Sequence, residues 1–344
     1  VKGGEKVPRR REWTERDVAI LRELYELREL TKAQIATKHF EGNMKYASKR
    51  LYIMRTEGLI SSEVYGTRVN GRTQVAAYCR LTEQGMGLLR SKGVLNEVKY
   101  RARDLGLSVQ QREYIMSANE LHVRIPEVPF MDSRSIKRKY NLNRGNLTVG
   151  GFSTETGDYM IYILRSDALE KTLVKIISEI KQLRKLKGFL VYYKSQSVKR
   201  SFEAISEQIG LVTGGIPIHL LPFDETGFKI TREYILSNAF LKLKNLFKDY
   251  GEFTEVRGQS KYGFRYGIYQ KRIEGERSGP YVVELITGDM LILKRCLRNY
   301  NSDLSQRVGR RVLLFCYEEE VERYREELLS ASHVDIVGIS KDLI

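Results

Sequence analysis

The sequence predicts a mixed α+β / α/β protein, in which a small head of three helices and a β-hairpin is followed by two tandem repeated α/β units. Three observations carry this. Before residue 58 apolar residues recur at helical spacing three times, and two strand-like segments then flank an Asn70-Gly71 pair. The hexapeptide Arg112-Glu113-Tyr114-Ile115-Met116-Ser117 returns 120 residues later as Arg232-Glu233-Tyr234-Ile235-Leu236-Ser237. Behind each copy, segments of strand and helix character follow in the same order and at nearly the same spacing.

Bulk properties narrow the class. At 344 residues the chain has room for two or three domains with cores of their own. A hydrophobic content of 42% with 30% charged residues is globular rather than disordered. The formal net charge of +16 points to a polyanionic partner, most often nucleic acid. Cys79, Cys296 and Cys316 are odd in number and form no Cys-x-x-Cys pair, which argues against a disulfide framework or a zinc site and suits a reducing cytoplasm. No apolar run is long enough for a bilayer, and no secretory signal is expected at the charged N-terminus.

The head builds up from its capping residues. Residues 1–12 read as a basic arm containing Arg9, Arg10 and Arg11. Thr14, with Asp17 three positions on, caps a first helix that buries Val18, Leu21, Leu24 and Leu27. Thr31 caps a short second helix, and Asn43 caps a third that ends at Gly58. In this third helix Met44, Ala47, Leu51 and Met54 form the apolar stripe, while Lys45, Ser48, Lys49, Tyr52 and Arg55 lie opposite, with Tyr46 and Arg50 at the edges. Strands from Leu59 to Tyr65 and from Gln74 to Leu81 enclose a turn carrying Arg68 and Arg72, and Thr82 opens a further helix. Three helices followed by a hairpin with a basic tip resemble a winged-helix DNA-binding domain, here assigned to 13–100. Its third helix then offers one face to the major groove, and its hairpin tip reaches the backbone or the minor groove.

The remainder divides at 227, giving repeat units 101–227 and 228–344. Tyr159 to Leu164 matches Tyr281 to Ile286, and Phe189 to Tyr193 matches Val312 to Cys316. Charged helices follow (Val198 to Gln208, Glu318 to Leu329), and the strands Pro217 to Leu221 and Val334 to Ile339 close the two units. Alternating strands and helices suggest a partly parallel sheet covered by helices.

With Leu81-Thr82-Glu83-Gln84-Gly85 ahead of a helix and Asn119-Glu120-Leu121-His122-Val123 behind it, the chain resembles the replication-relaxation family of bacterial plasmids and mobile elements. That resemblance implies a winged helix joined to a restriction-endonuclease-like α/β domain. In some relatives it implies a relaxase that nicks transfer origins with acidic residues and a metal. Here the chain departs from the pattern. Such nucleases need an acidic residue on one strand and an acid-x-Lys or acid-x-acid pair on the next. Tyr159 to Leu164 contains no acid, and Glu284 stands mid-strand with Ile286 where a Lys or acid belongs. Both units therefore read as catalytically degenerate, with no catalytic residue, metal ligand or cofactor assigned. Glu284 as a lone metal ligand and Tyr300 as a nucleophile remain open. His39, His122, His219 and His333 form no His-x-His pair, and no Walker or Gly-x-Ser-x-Gly motif is present.

The DNA-binding candidates are Lys45, Tyr46, Ser48, Lys49, Arg50, Tyr52, Arg68 and Arg72 in the head, and Lys137, Arg138, Lys139 and Arg144 in the body. The expected role is sequence-specific binding of double-stranded DNA at a replication or transfer origin in the cytoplasm, without catalysis. Further candidate partners are replication or relaxosome proteins and a second copy of the chain. A metal-dependent relaxase and a winged-helix transcriptional regulator stand as the alternatives.

Overall fold

The structure, a computed structural model, describes all residues except 1–11, 70–71, 238, 257–260, 273–274 and 344. Of residues 65, 67–69, 72–76, 239, 270–272 and 275–278 it describes the backbone alone. The expected arm at 1–12 therefore lies, but for Glu12, outside the described residues, as does the Asn70-Gly71 turn. The fold is mixed α and β with three sheets, divided into compact units of residues 1–124 and 125–344.

Unit 1 runs α1 (Glu15–Leu27), β1 (Glu29–Thr31), α2 (Lys32–His39), α3 (Met44–Thr56), β2 (Ile60–Val69), β3 (Arg72–Leu81), α4 (Glu83–Ser91) and α5 (Val109–Arg124). The helices start where side-chain caps satisfy their first amides. Thr14 and Asp17 form a reciprocal capping box on α1, and Thr31 and Gln34 form another on α2. Asn43 accepts from the Tyr46 amide at the head of α3, and Thr82 from the Gly85 amide at α4. Gly58 follows α3 with φ +70°, a left-handed conformation that glycine adopts without a Cβ penalty. The antiparallel sheet has the order β1-β3-β2, and its hairpin is paired from Ile60↔Leu81 to Val69↔Arg72. Ile20, Leu21, Leu24, Ile35, Ala47, Leu51, Met54 and Leu89 are buried beside it.

The first boundary moves from residue 100 to 124, because α5 belongs to unit 1. Asn119 donates to the carbonyls of Leu27 (3.3 Å) and Glu29 (2.7 Å), and Gln34 donates to that of Met116 (2.9 Å). Arg112 donates to the buried Glu29 carboxylate at 2.7 Å. These partners lie some 80 to 90 positions away in the chain, beyond the reach of local pattern.

Unit 2 begins with β4 (Phe130–Asp132), α6 (Ser133–Lys139), β5 (Gly150–Thr154), β6 (Gly157–Leu164), α7 (Glu170–Gln182), β7 (Gly188–Tyr193), α8 (Gln196–Gln208) and β8 (Ile218–Pro222). After α9 (Glu225–Ile230), a π-helical turn (Thr231–Ile235) and α10 (Ala239–Leu246), it continues with β9 (Glu252–Glu255), β10 (Tyr266–Arg272), β11 (Gly275–Glu284), α11 (Ile292–Arg298), α12 (Ser302–Val308), β12 (Val312–Tyr317), α13 (Val321–Glu327) and β13 (Val334–Ile339). The two five-stranded sheets have the orders β4-β5-β6-β7-β8 and β13-β12-β11-β10-β9. In each, taken in chain order, the first two pairings are antiparallel and the last two parallel. β6 and β7 are apolar runs buried on both faces, as parallel strands under helices must be.

The edge strand β8 meets the turn that follows β11, the central strand of the second sheet. The Leu220 amide donates to the Gly288 carbonyl (2.9 Å) and the Met290 amide to that of Ile218 (3.0 Å). His219 Nδ1 lies 2.8 Å from the Thr287 carbonyl oxygen. The three cysteines are free and buried, and burial pushes the Cys79 thiol up to about 11 and those of Cys296 and Cys316 to about 12. Among the described residues no helix is long and apolar enough to cross a membrane.

Candidate nucleic-acid interface

Helix α3 stands on three buried side chains, Ala47, Leu51 and Met54, spaced so that they share one face. At 3.6 residues per turn the opposite direction belongs to Lys45, Lys49 and Tyr52. All three are exposed, Tyr52 at 60%. Ser48 is half-buried on one flank, where Arg55 is exposed with its guanidinium 5.4 Å from the Tyr52 ring centroid. Tyr46, 53% exposed, packs edge-on against Phe40 on the other flank.

Arg50 differs in kind from the other candidates on this helix. Its Nε donates to Asp17 Oδ1 at 2.6 Å and its Nη2 to Asp17 Oδ2, while its guanidinium lies 5.4 Å from the Trp13 ring centroid. The Arg50 side chain is 19% exposed and that of Asp17 only 1%. Burial opposes ionisation of Asp17, but hydrogen bonds from Arg50 and Thr14 and the attraction of Arg50 outweigh it, so the carboxyl titrates below its usual range. A bidentate pair of this sort ties α3 to α1 and removes Arg50 from the free cations of the helix. The sequence places Asp17 on the inward side of α1, in register with Ile20, Leu21 and Leu24, but its cation lies 33 positions away, outside the reach of local spacing.

The wing candidates are only partly visible. The backbones of Arg68 and Arg72 lie on the paired strands β2 and β3, and their side chains lie outside the described residues. Behind the helices, Glu23 takes Lys38 (2.5 Å) and His39 (2.9 Å), and His122 Nε2 lies 2.5 Å from Lys38 Nζ. Burial opposes ionisation of Glu23, yet hydrogen bonds from His122, His39 and Lys38 hold it well below the usual carboxylate range. His122 is thus a packed residue of unit 1.

In unit 2 the basic runs are largely engaged. Lys137 donates to the Arg144 carbonyl (3.2 Å), Lys139 pairs with Asp158 (2.5 Å), and Arg138 is also partnered. Arg144 is exposed, and among the described residues its guanidinium has no ion-pair partner. Arg310 donates to the Gly279 carbonyl and stacks on Tyr281, and Arg311 makes a bidentate pair with Asp335.

The two residues left open for chemistry are both held by hydrogen bonds within unit 2. Glu284 accepts from the Thr287 amide (3.0 Å) and hydroxyl (2.8 Å), capping the turn that meets β8. Burial pushes its carboxyl up to about 7. Tyr300 is fully buried among Tyr262, Phe264 and Tyr281, and its hydroxyl donates to the Arg310 carbonyl at 2.6 Å. Among the described residues no group of three or more His, Cys, Asp or Glu could hold a metal ion.

A cleft of 610 Å³ also opens in unit 2, where β7, β8, β11 and β12 end. Its rim carries ion pairs between Lys199 and Glu320 (3.3 Å), Arg323 and Glu203 (3.6 Å), and Lys341 and Glu319. These charges are met within the protein, whereas Arg200, on the same lining, is exposed. Compared with known proteins, the chain matches no family model, no curated protein and no solved structure.

Proposed function

We propose that the chain is a sequence-specific double-stranded DNA-binding protein, with unit 1 as a winged-helix head and unit 2 as a tandem duplication of one α/β module. The observation that carries this is the outward stripe of α3. Lys45, Lys49 and Tyr52 are exposed on a helix whose other face is buried, and neither lysine has an ion-pair partner among the described residues. A helix of 13 residues so presented has the length and chemistry to lie in a major groove, with lysines meeting phosphates. The order of helices and hairpin in unit 1 supports the head, and the shared strand order and pairing sense of the two sheets support the duplication.

In the biological setting that the resemblance implies, the duplex is a replication or transfer origin of a bacterial plasmid or mobile element. Replication or relaxosome proteins, or a second copy of the chain, are the partners there. The reading is non-catalytic, supported by the capping role of Glu284.

Fluorescence anisotropy with duplexes recovered from a random library tests it. Affinity should fall steeply with salt. Replacing Lys45 and Lys49 together by Ala should weaken binding and flatten the log–log salt slope by about 0.9 for every phosphate left without its lysine. Unchanged affinity and slope in the double variant would remove α3 from the interface.

A further inference from the structure

Building on the DNA-binding reading, we propose that Tyr52 reads thymine, its ring packing against the 5-methyl group of a thymine in the major groove. The argument is one of elimination over α3. Bidentate recognition of guanine is best made by a free guanidinium, and adenine by Asn or Gln; cytosine is read by an acid accepting from its amino group. The segment Met44–Thr56 contains no Asn, Gln, Asp or Glu. Asn43 is occupied as the cap, accepting from the Tyr46 amide at 3.1 Å. Arg50 is committed to Asp17. Arg55, near the carboxyl end of the helix, lies against the Tyr52 ring.

On the face directly opposite the core what remains is two lysines and Tyr52, the most exposed aromatic of the helix, while the exposed Tyr46 and Arg55 stand on its flanks. The lysines are point charges on flexible stems, which phosphates satisfy without regard to sequence. Tyr52 is 60% exposed, among the described residues no hydrogen bond holds its hydroxyl, and Arg55 steadies its ring from one side. The one base edge that rewards an apolar neighbour is that of thymine.

The test replaces thymines, one at a time, by deoxyuridine in the recovered duplex, which removes the methyl group and nothing else. Binding of the natural chain should weaken about fourfold at one or two positions, the effect of withdrawing one buried methyl. Tyr52→Ala should bind the unmodified duplex more weakly and show no thymine–uracil difference at those positions. Tyr52→Phe should keep the difference, and Lys49→Ala should lose affinity while keeping it. Indifference of the natural chain to uracil at every position, or an unaltered ratio in Tyr52→Ala, would overturn the assignment while leaving specific binding intact. A selection that enriches no sequence would overturn specific recognition itself, and the thymine assignment with it.

Discussion

Helices α3 and α6 look alike in sequence, each crowded with Lys and Arg beside a tyrosine, yet their cations stand in different states. On α3 Lys45 and Lys49 are exposed with no ion-pair partner among the described residues, and the one cation that is tied down, Arg50, fastens the helix to the core. On α6 Lys139 is drawn to Asp158, Lys137 to a carbonyl, and Arg138 to a partner. Unit 1 carries 24 Lys and Arg against 15 Asp and Glu, and unit 2 carries 35 against 28. The surplus is thus larger in the smaller unit, and more of it is free on α3. Formal charge measures how strongly a polyanion is attracted from afar, and unpaired outward charge decides where it is held.

The sharpest way to break this comparison is Arg50→Ala. If Arg50 anchors α3, its loss leaves the buried Asp17 carboxylate uncompensated and should destabilise unit 1 by about 3 kcal/mol, read by urea or thermal unfolding. DNA affinity, measured where the variant is still folded, should change little. An intact fold with lost binding would return Arg50 to the groove. The pair also has a pH signature. Because the folded-state pKa of Asp17 is lowered, its stabilisation is present above the unfolded value of 3.8 and is lost as pH falls through the folded one.

Glu284 in unit 2 has the opposite sign. Its folded-state value of about 7 lies above the unfolded 4.5, so stability is fully present below 4.5 and declines as pH rises through 7. Glu284→Gln, which keeps an acceptor for Thr287, should therefore raise the melting temperature at pH 8, by about 1–3 kcal/mol of stability, and have almost no effect at pH 4. A gain equal at both pH values would show that burial of the charge is not the cause. Acid weakens the Asp17 tether of unit 1, and base weakens the Glu284 turn of unit 2.

Much of the local structure was legible in the sequence because it is decided by neighbours. Thr14, Thr31, Asn43 and Thr82 announce helix starts through caps whose partners lie three residues away. The apolar segments of β6, β7 and β12 announce buried strands, whereas β11 is apolar only near its end, Tyr281 to Val283. Partners distant in sequence were not legible. Asp17 meets Arg50 at a separation of 33, and Arg112 meets Glu29 at 83, so neither the role of Arg50 nor the membership of α5 could be read from spacing. A one-residue displacement arose in the same way. Hydrophobic pattern aligns Tyr193 with Cys316, whereas strand register pairs Tyr159 with Gly188 and Tyr281 with Val312, which sets Tyr193 against Tyr317 at the ends of two six-residue strands. Apolar runs are too uniform to fix a register that backbone hydrogen bonds decide. Of the candidate interface, the face of α3 was legible, and which of its cations are free was not.

The smallest expected effects sharpen the comparison within unit 2. Lys139 is half exposed and paired, and Arg144 is exposed with no ion-pair partner among the described residues. Lys139→Ala should cost at most about 1 kcal/mol of stability, as partly exposed ion pairs do, and leave DNA affinity within about twofold. Arg144→Ala should leave stability unchanged. If this part of unit 2 lies along the duplex, it should lower affinity by about two- to threefold at low salt and reduce the log–log salt slope by about one. Melting curves and anisotropy titrations at two salt concentrations separate the outcomes. A larger loss of binding from Lys139→Ala than from Arg144→Ala would mean that DNA competes successfully with Asp158 for a paired lysine, and pairing within the fold would then no longer mark which cations stay out of the interface.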